Sequence, residues 1–223
     1  MNNIVEIKHP IQKHILDVLM NQRTARFRDM RPLRTDTNLY SYHLSQLVKD
    51  GLLKKTDEGY TLDALGLKYA VIHGDEIVSS DHQPTIITML VIQNSNGDIL
   101  LQRRNKQPYI DAWTLPTGSI QSDDESVVVA AQREANEKLG LSHQPLRHAG
   151  DCYIRVTHNG MLISKTLVHV FAFNRDNIST SERILWARPH KLSQFNLAPA
   201  VEQIVARTFF RDPFYFEEFD EAW

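Results

Sequence analysis

The sequence predicts an α+β chain of two domains, and three observations carry that expectation. Residues 1–74 show helical periodicity with a single short hairpin, residues 85–210 alternate as strands do around one strongly capped helix, and a polar linker at 75–84 separates them. Residues 211–223, rich in Phe, Tyr, Glu and Asp, read as an acidic, aromatic tail. At 223 residues the chain is long enough for two modest cores.

Composition narrows the class. A hydrophobic fraction of 42% and a charged fraction of 23% are those of an ordinary globular protein. The longest apolar stretch, 86–92, is strand-sized and interrupted by Thr88, so no membrane partner is expected. The first residues lack a basic region followed by an apolar core, and the single cysteine, Cys152, has no internal partner. Both features predict a cytoplasmic, reducing environment. Residues 1–75 carry 11 Lys/Arg against 9 Asp/Glu, while the remainder carries 14 against 18. A slightly basic first third beside an acidic remainder is compatible with a nucleic-acid partner.

In the first domain Pro10 opens a helix whose apolar positions are Ile11, Ile15, Leu16, Val18 and Leu19. A short helix is expected at 27–30, ending before Pro32. Thr35, Asp36 and Thr37 offer N-caps for a third helix over 38–50, which Gly51 closes. A hairpin pairs 52–56 with 60–62, and a last helix covers 63–72. On the third helix Tyr40, Leu44, Leu47 and Val48 share one face and should be buried. Asn38, Tyr42, Ser45, Gln46 and Lys49 lie on the opposite face, with group types suited to base edges and phosphates in a major groove. Arg23, Arg26, Arg28, Arg31 and Arg34 precede the helix, and Lys54 and Lys55 follow on the hairpin. They are placed to supply phosphate contacts. The bland alternative is a solvated polar face on a dimerisation or protein-binding wing. His43 reads as a half-buried packing residue rather than a metal ligand, with no second ligand at helical spacing.

The order helix, helix, turn, helix, hairpin, with Ser41, His43, Leu44, Leu47, Gly51 and Leu52 in a Ser-x-His-Leu-x-x-Leu…Gly-Leu pattern, resembles bacterial winged-helix repressors. The resemblance implies a winged helix-turn-helix reading double-stranded operator DNA and, by analogy with palindromic operators, a homodimer.

In the second domain, strands at 85–92 and 99–104 flank Asn94-Ser95-Asn96-Gly97-Asp98, and strands at 152–157 and 161–173 flank His158-Asn159-Gly160. Between them a helix is expected over 123–139, with Ser122 and Glu125 as a capping box and Gly140 as the stop. Val127, Val128 and Ala131 form its expected buried face. A final helix is expected over 199–209. Trp113 and Trp186 read as core residues. His158 and His169 show no metal-ligand spacing, so no zinc site is expected.

Trp113-Thr114-Leu115-Pro116-Thr117-Gly118, then Glu125, then Arg133-Glu134-Ala135-Asn136-Glu137-Lys138-Leu139-Gly140-Leu141 resembles the Nudix signature Gly-x5-Glu-x7-Arg-Glu-U-x-Glu-Glu-x-Gly-U, where U is apolar. The resemblance implies an α/β/α sandwich with a mixed sheet, acting on or binding nucleoside diphosphates linked to another group. It implies Glu134 and Glu137 as metal or base residues, with the Gly118 loop holding Mg²⁺ or Mn²⁺. Arg133 would orient the carboxylates and Gly140 end the helix. Glu182 stands where the family often places a late catalytic carboxylate. Arg103 or Arg104 would meet phosphate, and Tyr109 would stack on a base.

Two departures matter. Lys138 replaces the second of two adjacent glutamates, and six residues rather than five separate Gly118 from Glu125. Lys138 therefore either disables the metal site or meets the diphosphate in place of part of the metal's charge. Asp123, Asp124 or Glu125 are substitute ligands if hydrolysis survives. The leading reading is a ligand-responsive transcriptional regulator with a nucleotide-type effector. Its rivals are a Mg²⁺-dependent pyrophosphohydrolase whose first domain serves dimerisation or docking, and an interaction protein that has lost both activities.

Overall fold

The computed structural model describes residues 7–73, 83–209 and 214–223. Most of the expected linker, 74–82, lies outside them. The chain divides into two compact units. One comprises Met1–Gln83 with the segments Asn105–Ile110 and His158–Ile163; the other holds the remaining residues.

In the first unit, helix α1 (Pro10–Met20) starts behind His9, whose Nδ1 accepts the Ile11 N–H at 3.2 Å. It buries Ile11, Ile15, Leu16 and Leu19. Helix α2 (Thr37–Lys49) is capped by Asp36, whose Oδ1 accepts the N–H groups of Asn38 at 2.9 Å and Leu39 at 3.0 Å. Capping of this kind contributes about 1 kcal/mol. Gly51, at φ +75°, supplies the left-handed residue that turns the chain into the hairpin of β1 (Leu53–Thr56) and β2 (Gly59–Leu62). Helix α3 (Ala64–His73) follows.

The helix expected at 27–30 is absent. Those residues form a turn, held by the Asp29 N–H on Arg26 O and by the Tyr40 hydroxyl donating to Phe27 O at 2.7 Å. Four residues pinned between the Ala25–Tyr60 bridge and Pro32 are too few to repay helix nucleation. Burial pushes the Tyr40 phenol up to about 12, so that hydroxyl remains a donor at all ordinary pH.

The second unit is built on a mixed eight-stranded sheet. Its strands are β3 (Thr85–Gln93), β4 (Ile99–Arg103), β5 (Trp113–Thr114), β6 (Thr117–Ser119), β7 (Arg147–His158), β8 (Met161–Asn174), β9 (Ile184–Ala187) and β10 (Tyr215–Ala222). The order β10-β7-β8-β3-β4-β5 forms the main path, with β6 on β3 and β9 on β4. The expected hairpin of β3 and β4 keeps a single registered pair, Gln93 with Ile99. Beyond it β3 runs parallel to β8 and antiparallel to β6, while β4 pairs with β5 and β9. The β7–β8 turn is Asn159–Gly160, both at positive φ as a two-residue hairpin requires.

Helix α4 (Val127–Leu139) lies on this sheet, and Gly140 ends it at φ +67°. Its buried residues are Ala130, Ala131, Glu134 and Ala135, of which Ala131 and Ala135 join a core with Leu90, Ile92, Leu100, Phe171 and Phe173. Of the expected face, Ala131 is fully buried and Val127 packs against the core, while Val128 is exposed. The cap moves from Ser122 to Ser126, whose hydroxyl accepts the Val129 N–H. The later start goes with Asp124, whose carboxylate holds the turn before the helix by accepting from Gln121 N–H and from Arg133. Trp113 and Trp186 are half-buried, the latter against the α4 core.

Helix α5 (Val201–Phe209) begins two residues after the expected start. The expected tail is no tail: 215–222 form strand β10, parallel to β7 in register from Tyr215 with Gly150 to Ala222 with Thr157. Its alternating aromatic and acidic residues are the period-2 pattern of a strand. Among the described residues no helix is long and apolar enough to cross a membrane.

Candidate functional site

On α2 the residues expected to meet DNA fall outside and their neighbours inside. Tyr40, His43, Leu44 and Leu47 are buried, whereas Asn38, Tyr42, Ser45 and Lys49 are exposed and Gln46 is half-exposed. His43 stacks on His9 with ring centroids 3.7 Å apart, a packing contact. Arg34 is exposed at φ +62° in the turn before α2, and Lys54 and Lys55 project from β1.

The second site centres on one face of α4 and on β6. Residues 133, 134, 137 and 138 lie within a turn and a half of helix, so two cations and two carboxylates share a surface. The Arg133 guanidinium has five N–H groups, and all are engaged. Nε and Nη2 hold Asp124 at 3.0 and 2.9 Å, Nη1 reaches Glu134 at 2.9 Å and Glu137 at 3.2 Å, and Nη2 also donates to Ser119 O at 2.8 Å. Its hydrogen bond to Asp124 holds that carboxyl below its ordinary range. The Glu134 side chain is only 7% exposed.

The Lys138 ammonium donates to the Thr117 carbonyl and lies 3.0 Å from Glu134 Oε2. That oxygen is buried and accepts no hydrogen bond, so the contact is a charge pair out of line with the ammonium's directed bond. Carbonyls alternate along a strand. Those of Thr117 and Ser119 meet Lys138 and Arg133, while the Gly118 carbonyl receives the Thr88 hydroxyl at 3.5 Å. What Gly118 contributes is the lack of a side chain: a Cβ there would stand 1.9 Å from Glu134 Cγ.

This arrangement does not fit a divalent ion. Both faces of Glu134 are taken by cations, and an ion beside Lys138 would meet a unit positive charge at contact distance. At an effective dielectric of ~20 that repulsion is about 8 kcal/mol near 4 Å, twice the value for two unit charges. With glutamate at 138 the cluster of Asp124, Glu134 and Glu137 would carry four negative charges against one positive; with lysine it carries three against two. The lysine does locally what a cation would otherwise have to do.

A family model for the NUDIX domain matches residues 83–208. The chain belongs to the Nudix family. Among curated Nudix proteins, the uncharacterized Nudix hydrolase YfcD of Salmonella typhi is 29% identical over 111 residues, 48% of this chain and 59% of that protein. YfcD of Escherichia coli K12 is 28% identical over 48% of this chain and 60% of that one. The chain thus matches little more than half the length of these relatives. Among solved structures, the MutT protein of Bacillus halodurans aligns over 61% of this chain and 89% of its own, at 16% identity and a TM-score of 0.50, a likeness of fold. The Nudix domain of Shewanella oneidensis NrtR, solved with ADP ribose, aligns over 62% and 94% at 16% identity and a TM-score of 0.45.

Of the remaining expected Nudix residues, Glu137 is 54% exposed and reached by Arg133. Arg103 is exposed and paired with Asp111 at 3.0 Å, and Arg104 is half-buried at the end of β4. Glu182 is exposed in the turn before β9. Tyr109 belongs to the 105–110 segment that groups with the first unit, where the Gln107 N–H donates to Met20 O. Cys152 is fully buried, and burial pushes its thiol up to about 12, which makes it unreactive. The sequence reading missed Asp124 as the principal partner of Arg133. A nine-residue separation across a helix start carries no periodic signal.

Proposed function

We propose that this chain is a ligand-responsive DNA-binding regulator, whose Nudix domain binds a nucleoside-diphosphate-type effector with weak or no hydrolysis. The carrying observation is the Lys138 ammonium, held between the Thr117 carbonyl and Glu134 with its side chain 34% exposed. Arg133 has no donor left for a ligand, whereas Lys138 directs one N–H at Thr117 O and stands beside Glu134 only as a charge pair, which leaves N–H groups for a phosphate oxygen. The second support is the exposed stripe of Asn38, Tyr42, Ser45, Gln46 and Lys49, flanked by Arg34, Lys54 and Lys55, on the Asp36-capped helix α2 that leads into the β1–β2 hairpin.

The test of the effector site is isothermal titration of ADP-ribose and related diphosphates in the presence of chelator. Binding is expected without metal, and Lys138→Met should weaken it tenfold to a hundredfold, the value of about 1.5–3 kcal/mol for a charge-assisted contact. Equal affinity in both proteins would exclude the lysine as the phosphate ligand. The rival reading, a Mg²⁺-dependent Nudix hydrolase whose first domain serves dimerisation or docking, draws on Glu137, whose side chain is 54% exposed and, among the described residues, reached only by Arg133 at 3.2 Å. Metal-dependent turnover at about 1 s⁻¹ or faster would establish that rival.

For DNA, Lys49→Ala should weaken binding to all sequences alike and reduce the salt-dependence slope by about one. Gln46→Ala should cost about 1–3 kcal/mol at a preferred site only. Fluorescence anisotropy on specific and random duplexes across a salt series separates the two. If removing both side chains leaves affinity unchanged, α2 is not the reading helix.

A further inference from the structure

We propose that His148, Asp151 and His169 form a binding site for a first-row divalent transition ion of the zinc or cobalt type, separate from the Glu134–Lys138 cluster. Asp151 Oδ1 lies 2.8 Å from His148 Nε2 and 2.8 Å from His169 Nδ1, and the three ligand atoms are all within 4.8 Å of one another. One carboxylate oxygen thus gathers two imidazole nitrogens from two strands. Among the described residues this is the one grouping of three His, Cys, Asp or Glu side chains with such convergence.

The fold explains how residues three apart on a strand come together. Along β7 buried and more exposed positions alternate from Gly150 to Thr157, whereas Ala149 and Gly150 are adjacent and both buried. The phase slips there by one residue, as it does at a β-bulge, and His148 and Asp151 emerge on one face. Gly150 is required at that point, because a Cβ would lie 2.5 Å from the Tyr215 carbonyl of the adjoining β10. His169 comes from neighbouring β8, two residues before the fully buried Phe171, and so shares its side of the sheet. The His148 ring is stacked on Phe171 at 4.7 Å and 20° and is met edge-on by Phe214 at 5.2 Å. A ring pinned between two aromatic side chains has little freedom left to lose on coordination.

The donor set decides the class of ion. Two imidazole nitrogens and one carboxylate oxygen favour zinc, cobalt or nickel over magnesium and calcium, which prefer oxygen throughout. Metal–ligand bonds of about 2.0–2.2 Å place neighbouring donors roughly 3.3 Å apart, a spacing reached from the observed 2.8 Å contacts by a small outward shift and compatible with ligand atoms that all lie within 4.8 Å of one another. All three side chains are partly exposed, so an ion has a route in and room for further ligands. The site lies beside the α4 cluster on the sheet, since His169 is in register with Thr88 and Thr88 with Gly118. It differs from that cluster in carrying no cationic side chain.

The test uses the full chain, free of any histidine tag and stripped with chelator, titrated with Co²⁺ alone and followed by visible ligand-field absorption. One Co²⁺ per chain is expected, and Zn²⁺ should displace it. His148→Ala, His169→Ala and Asp151→Asn should each weaken binding about tenfold or more, while Glu134→Gln with Glu137→Gln should leave it unchanged. Should a variant fail to fold, paramagnetically shifted imidazole N–H resonances of the wild-type Co²⁺ form count the coordinated histidines, and two are expected. No Co²⁺ uptake, fewer than two histidine ligands, or loss of binding in the glutamate variant would each overturn the proposal. The first of these would leave the three residues as a hydrogen-bonded cluster only.

Discussion

Replacing Arg133 by methionine should lower the free energy of unfolding by about 3–5 kcal/mol at neutral pH, the usual cost of removing one member of a buried ion network. The guanidinium is the shared partner of Asp124, whose side chain is 4% exposed, and of buried Glu134, and its loss leaves both carboxylates without their main compensation. The effect is pH-dependent with a definite sign. The Arg133 hydrogen bond holds the Asp124 carboxyl below its ordinary value of 3.8, so this stabilisation is fully present above about pH 4 and is lost as pH falls through the lower folded value. In the variant, burial favours the protonated form of Asp124 and is opposed only by the Gln121 N–H bond. Urea denaturation at pH 7 and pH 3 should therefore show a large difference between the two proteins at pH 7 and a smaller one at pH 3. A difference that does not narrow would mean that Arg133 acts through packing rather than charge.

The second large effect is expected at Gly118→Ala. The new Cβ would stand 1.9 Å from Glu134 Cγ and 2.1 Å from its Cδ, and Glu134 has little freedom to yield with Arg133 on one oxygen and Lys138 beside the other. Overpacking of this kind costs about 1–3 kcal/mol. Because the displaced carboxylate is also what positions the ammonium, effector affinity should fall along with stability. A double-mutant cycle identifies the clash: Glu134→Ala in the same chain should recover about 1 kcal/mol or more. Full additivity would place the cause elsewhere on the β6 backbone.

How much of this was legible in the sequence depended on how local the physics is. The α2 cap, the Gly51 and Gly140 stops and the Asn159–Gly160 hairpin were readable because each is decided by two or three adjacent residues. The Nudix pattern, local in the same sense, singled out Glu134, Lys138 and Gly118, which the fold brings side by side. What escaped was set by distant partners. Asp124 lies outside the helix and binds Arg133, and α4 starts at Val127. His148, Asp151 and His169 had no ligand spacing on paper, because their convergence needs both a phase slip in β7 and the neighbouring strand. The 27–30 helix failed for the complementary reason, its residues being claimed by Tyr40 and by the bridge to β2.

The position of β10 has a consequence for the order in which the molecule assembles. This strand is the last in sequence, yet it pairs with β7, joining Tyr215 to Gly150 across the whole of β8, β9 and α5. Pairings between strands so far apart form late, since the long loop between them must be closed before any contact is gained. Until then β7 is the outermost strand of the sheet and offers its unpaired backbone N–H and C=O groups to any other chain. The acidic residues of the late strand act twice in this history. In the unfinished chain they keep that segment solvated and repel copies of it, and in the finished sheet Glu218 and Asp220 leave a charged outer border that resists edge-to-edge association.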